Sequence, residues 1–130
     1  MTQKAKLQTE LSLTETFNRG LYTEAERIAS TIVGLNPKHK LAWKILGATY
    51  ARTGRLPSAQ SAFARHVELV PRDAEGHSNL GAVLHALGQP EDAEVCFRKA
   101  IRLQPNYVEA FYNLALVQAE RGQFIGALEN

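Results

Sequence analysis

Four imidazoles and one thiol in this 130-residue sequence have the chemistry of metal ligands, general bases or nucleophiles near neutral pH: His39, His66, His77, His85 and Cys96. Imidazoles and thiolates hold zinc in sets of three or four, and work in twos and threes as bases and nucleophiles. The spacing here assembles neither. His77 and His85 stand eight residues apart, with no carboxylate or cysteine at metal-ligand spacing beside them. No G-x-S-x-G, H-E-x-x-H or phosphate-binding glycine loop occurs. His66 and His77 read as half-buried packing groups. Cys96, next to Phe97, reads as a small packing residue rather than a nucleophile. Arg98, Lys99 and Arg102, interspersed with Glu94, read as a solvated helix face. The expectation is a chain without catalytic residues, metal or cofactor.

Bulk properties agree with an ordinary globular chain. Hydrophobic residues make up 45% and charged residues 22% of the sequence. Lys and Arg number 15 against 13 Asp and Glu, a formal charge of +2. So even a balance argues against nucleic-acid or membrane partners. A single cysteine rules out an internal disulfide and fits a reducing compartment. The opening stretch MTQKAKLQTELSLTETF lacks the apolar centre of a secretory signal, and no apolar run is long enough to span a membrane. These features lead to the expectation of a soluble, cytoplasmic protein.

The elements that would position any functional residue emerge from a repeat. Gly20, Gly54, Gly88 and Gly122 are spaced by 34 residues; so are Pro37, Pro71 and Pro105, and Ala25, Ala59, Ala93 and Ala127. Three ladders at one period mark an internal repeat. Each unit parses as two helices, one from glycine to proline and one from proline to glycine. Glycine can take the left-handed conformation that closes a helix, and proline stops the next one. First helices are expected near 7–19, 40–53, 74–87 and 108–121, and second helices near 23–35, 57–70 and 91–104, with a last one starting near 124. Thr23 with Glu26 has capping-box spacing. Asp73 suits an N-cap, and Pro57 and Pro90 suit first turns. No stretch alternates as a strand would.

Residues 40–73 carry Trp43, Leu46, Gly47, Tyr50, Ala59, Phe63 and Pro71, with His66 where an alanine is usual. Residues 74–107 carry Leu80, Gly81, Ala93, Phe97, Ala100 and Pro105, with His77 in place of the Trp and Leu84 in place of the Tyr. Residues 108–130 begin again with Phe111, Leu114, Ala115 and Ala127. This resembles the tetratricopeptide repeat, whose pattern is W-x2-L-G-x2-Y, A-x3-F, an alanine and a proline. Residues 6–39 form a degenerate first repeat, with Thr9, Ser12, Leu13 and Thr16 at the signature positions and only Ala25 and Pro37 retained. The resemblance covers nearly all of residues 1–130, taken as a single domain. It implies an all-α fold: a right-handed α-solenoid of antiparallel helix pairs, with first helices lining a concave groove and the polar first repeat as a cap. Gly47 and Gly81 are expected where paired helices approach closely.

The resemblance also implies a non-catalytic scaffold that binds a protein or peptide partner in extended conformation. The groove positions it points to are Lys44, Ile45, Ala48 and Arg52; Glu75, Ser78, Asn79, Ala82 and His85; and Glu109, Tyr112, Asn113 and Leu116. Asn79 and Asn113 are again 34 apart, so two amides in register can bond a peptide backbone. Lys44, Arg52, Ser78, Asn79, His85, Tyr112 and Asn113 are the expected peptide-binding residues. Chaperone-tail binders use a carboxylate clamp of Lys, Asn, Asn, Lys and Arg. Lys44 and Asn79 match it, but Ala48, Glu109 and Asn113 stand at its other places, which disfavours that subtype. The stretch SNLGAVLHALGQPEDAEVCFRKAIRLQPN, with YNLA after it, is similar to the asparagine ladder of O-linked N-acetylglucosamine transferases. Ile45 and Leu11 stand where further asparagines would extend the ladder. The fourth repeat is cut inside its second helix, so the chain is expected to be part of a longer protein. An alternative role is therefore the substrate-recruiting arm of a larger enzyme. A third is self-association through Phe124, Ile125 and Leu128.

Overall fold

The computed structural model describes residues 2–129, with side chains described outside 5–8 and 123–129. Seven helices follow one another: α1 (Gln3–Asn18), α2 (Tyr22–Leu35), α3 (Lys40–Arg52), α4 (Leu56–Leu69), α5 (Ala74–Ala86), α6 (Pro90–Leu103) and α7 (Val108–Glu129). No strand occurs among the described residues. Six of the helices lie within a few residues of the spans that the glycine and proline ladders predict.

The turns show why. Gly20, Gly54 and Gly88 have φ of 76°, 77° and 77°, a region closed to most side chains. After each, the next backbone N–H reaches back to an orphan carbonyl: Leu21 to Thr16 at 3.1 Å, Arg55 to Tyr50 at 2.8 Å and Gln89 to Leu84 at 2.9 Å. Asp73 caps α5 by accepting from the Glu75 N–H at 3.1 Å. One period earlier, His39 caps α3: its Nδ1 accepts from the Ala42 N–H at 3.1 Å. That leaves Nε2 carrying the proton, and it faces the Glu10 carboxylate at 3.3 Å.

Two local expectations fail. Thr23 and Glu26 form no capping box, because α2 already begins at Tyr22 and its N-cap, Leu21, makes no side-chain bond. Glu26 instead pairs with Arg55 at 2.7 Å. The break near Gly122 is also missing: α7 runs on as one helix to Glu129, and Gly122 lacks the positive φ of the other three glycines. Gly122 keeps a helical conformation, so the i to i−4 bonds run on unbroken; a glycine permits a left-handed turn without forcing one. The self-association residues Phe124, Ile125 and Leu128 fall outside the described side chains.

The chain divides into two compact units, Met1–Leu69 and Val70–Asn130. In the first, α1 packs on α2 and α3, α2 on α3, and α3 on α4. Its core joins Leu13, Ala29, Ala42, Ile45, Leu46 and Ala62, with Phe17, Trp43 and Tyr50 packed against them. In the second, α6 packs on both α5 and α7, and α5 also touches α7. Leu84, Ala93, Cys96, Phe97, Leu114 and Val117 form its core. A smaller group of Ala74, Ala100 and Ala110 sits beside it. Such small residues let the helices approach closely.

Candidate functional site

The expected binding residues fall into the two units. Lys44 and Arg52 lie on α3, half-buried and exposed respectively. Ile45, expected in the groove, is 7% exposed and belongs to the core of the first unit. A β-branched apolar side chain at this register gains more by burial than by facing water.

The second unit brings the other five together. Ser78, Asn79 and His85 are on α5; Tyr112 and Asn113 are on α7, which α5 touches. Along α5, Glu75, Ala82 and Ala86 are exposed and Asn79 is half-buried. Spaced by three and four, these four residues form one stripe. The equivalent stripe of α7 is Glu109, Asn113, Leu116 and Glu120. There Asn113 is half-buried and the others are exposed. The two asparagines thus occupy the same place on two touching helices. Tyr112, at 67% exposure, stands beside the second stripe.

Two expected contact residues have other duties. Ser78 is 2% exposed, so it has almost no surface to offer a peptide. The Tyr107 hydroxyl is pushed up from its ordinary pKa by burial. Ser78 works against that rise, and the nearby carboxylates of Glu109, Glu75 and Asp73 add to it. His85 Nε2 lies 2.6 Å from Glu120 Oε2, which ties α5 to α7. Sequence reasoning missed Glu120 and Tyr107 because neither sits at a signature position of the repeat. The available signal was a histidine and a carboxylate 35 residues apart, one period plus one, on consecutive first helices.

The remaining candidates resolve into packing. His77 is 7% exposed, and its Nε2 donates to the Pro71 carbonyl at 2.8 Å. One period earlier the Trp43 indole N–H donates to the Pro37 carbonyl at 2.7 Å. Histidine therefore replaces tryptophan by supplying the same ring N–H. His66 is buried on α4 at 3% exposure. Cys96 is buried, and burial pushes its thiol up from the ordinary value. Arg98 and Arg121 flank Glu94, at 3.4 and 2.7 Å. Gln118 donates to the same carboxylate at 3.2 Å. Among the described residues no three His, Cys, Asp or Glu side chains converge as metal ligands. No helix among them is long and apolar enough to cross a membrane.

Paired helices at a 34-residue period, closed by left-handed glycines, define a helical-repeat protein. Three family models, each described as tetratricopeptide repeat, match residues 15–74, 74–107 and 96–129. The chain belongs to the tetratricopeptide-repeat family, and its fold is an all-α solenoid of that kind. Several solved structures are similar. A Thermobaculum terrenum O-GlcNAc transferase mutant is 29% identical with a TM-score of 0.79; the match covers 90% of this chain and 23% of that one. The first TPR of Spaghetti bound to an HSP90 peptide is 21% identical with a TM-score of 0.86, covering 94% and 97%. MamA from Desulfovibrio magneticus RS-1 is 21% identical with a TM-score of 0.82, covering 93% and 68%. The chain thus spans about a quarter of the transferase's length. No curated protein sequence matches it.

Proposed function

We propose that the chain is a protein-interaction scaffold that holds an extended peptide segment along the exposed stripes of α5 and α7. The observation that carries this reading is the register of Asn79 and Asn113, half-buried on touching helices and one repeat apart. An amide side chain both donates and accepts, so each can bond one backbone N–H and one carbonyl of an extended chain. Ala82, Leu116 and Tyr112 supply apolar contact beside them. Repeat solenoids offer such surfaces to partners, and the Spaghetti domain that shares this fold was solved with a peptide bound.

A random-peptide library selected against the protein provides ligands for the test. Asn79→Ala with Asn113→Ala is expected to weaken a selected peptide by roughly 1–3 kcal/mol. Equal affinity for the double variant refutes the assignment.

A second reading is favoured by the 29% identity with the transferase across 90% of this chain. In this second reading the repeats of this chain serve as the substrate-recruiting arm of a larger enzyme. The intact mass of the native protein decides: a mass near 14.4 kDa removes the enzyme-arm reading, and a much larger one supports it. Self-association is the third reading, and light scattering over a range of concentrations tests it. A strict monomer throughout counts against it.

A further inference from the structure

One apolar groove occurs twice in this chain, walled by a helix in the first unit and open in the second. In the first unit Ser30 and Val33 of α2 and Trp43 and Leu46 of α3 line a groove whose far wall is α4, through Ser58, Ser61 and Ala62. In the second unit a groove of about 260 Å³ between α6 and α7 is lined by Arg98, Ile101, Arg102, Phe111 and Leu114. Arg98, Ile101, Phe111 and Leu114 stand two periods after Ser30, Val33, Trp43 and Leu46. Among the described residues α7 packs only on α5 and α6, so the far wall is missing. Burial records the difference. On α3, covered by α4, Gly47 is buried and Trp43 and Tyr50 are half-buried; on α5, covered by α6, His77 and Gly81 are buried with Leu84. The same three registers on α7 are Phe111, Ala115 and Gln118, and all are exposed, Phe111 at 48%. This face lies on the opposite side of α7 from the stripe that holds Asn113.

We propose that the α6–α7 groove docks an amphipathic helix of another protein, lying as α4 lies against α2 and α3 and turning carboxylates toward Arg98 and Arg102. An apolar helix face in a groove is a recurrent mode of recognition. Charge complementarity sets the partner's chemistry. Arg98 and Arg102 are exposed on the rim, where Ser30 and Gly34 stand in the first unit. Ser58 and Ser61 share the first groove with Ser30, so the equivalent positions of a docked helix face Arg98. Arg98 meets Glu94 at 3.4 Å, which leaves its guanidinium further donors for a second carboxylate. A second copy fits less well. Two such faces on a two-fold axis bring the same arginines together. The second helices of a folded copy, α2, α4 and α6, already bury alanines and phenylalanines in their own units. Ala115 sets the size of the facing side chain. A β-carbon at this register lies 2.6 or 2.8 Å from the phenylalanine ring of the covering helix in the earlier repeats. Ala115 has that β-carbon, so the docked helix places an aliphatic side chain there and not a ring.

The probe is the α4 segment, residues 56–69, made as a fluorescent helix held by a side-chain crosslink and carrying Ser58→Glu, Ser61→Glu and Phe63→Leu. One comparison helix keeps the two serines, and another keeps the phenylalanine. Anisotropy is measured against the wild-type chain and three variants. The probe is expected to bind roughly fivefold more tightly than the serine helix, a margin that shrinks as salt is added. It should bind about tenfold more tightly than the phenylalanine helix. Ala115→Arg should abolish binding, and Arg102→Glu should remove the preference for the glutamates. Leu11→Ser, at another exposed apolar side chain, should leave binding intact. Circular dichroism confirms that each variant is folded. Equal binding of the glutamate and serine helices overturns the acidic partner, and equal binding of the leucine and phenylalanine helices overturns the size selection at Ala115. Binding that survives Ala115→Arg belongs to another surface and overturns the docking site. Failure of all three helices on folded protein overturns the proposal. Light scattering then shows whether a dimer that Ala115→Arg dissolves takes this face instead.

Discussion

A β-carbon on Gly47 would lie 2.6 Å from the ring of Phe63, and one period later a β-carbon on Gly81 would lie 2.8 Å from the ring of Phe97. The glycine on the first helix makes room for an aromatic ring on the second. The first repeat fills the same space the other way round. Leu13 stands at the glycine register and Ala29 at the phenylalanine register, both at 0% exposure in one core. Bulk has moved from one helix to its neighbour while the space stays filled.

Gly47→Leu alone is therefore expected to destabilise by about 1–3 kcal/mol or more through overpacking. Phe63→Ala alone should cost about 3–5 kcal/mol through the cavity it leaves. Together they recreate the arrangement of the first repeat, and their combined cost should fall well below the sum. Urea denaturation of the four proteins checks this, and strict additivity would refute the exchange. Gly122→Ala is the contrast. It has no neighbour within 4 Å and sits in a helix, so it should gain up to about 1 kcal/mol.

The shared ring N–H to carbonyl bond makes a second forecast. His77→Phe keeps the ring and removes the donor to Pro71, and Trp43→Phe does the same at Pro37. Each should lose about 0.5–1.5 kcal/mol beyond any packing change. His77→Trp restores the family residue and the donor, and should recover the bond. A His77→Phe chain that melts like the wild type would show that the bond carries no net stability.

Glu94 gives a pH dependence with a definite sign. The Gln118 amide bond, followed by the charges of Arg98 and Arg121, holds its carboxyl below the ordinary 4.5, against the opposing effect of burial. A carboxylate depressed in the fold stabilises it fully above the unfolded value. That stabilisation fades as pH falls from about 4.5 through the lower folded value. Glu94→Gln should therefore be less stable than the wild type near neutrality, and the gap should close on acidification. Chemical denaturation at stepped pH reads the gap; a constant difference would show that ionisation of Glu94 is not involved.

The sequence by itself determined the period, the helix pairs and their ends. Gly20, Gly54 and Gly88 are legible because a left-handed turn is nearly exclusive to glycine, and Asp73 because a cap is local chemistry. It also placed Asn79 and Asn113 in register, because equal positions in equal repeats face alike. Gly122 misled, since a glycine permits a turn without forcing one. Only the tertiary structure decided which side chains are spent inside the fold. Ser78 and Ile45 are buried and His85 is held by Glu120, outcomes of packing between helices rather than of local spacing. The Leu13–Ala29 exchange is hidden for the same reason. Volume is conserved across two helices together, and neither helix shows it alone.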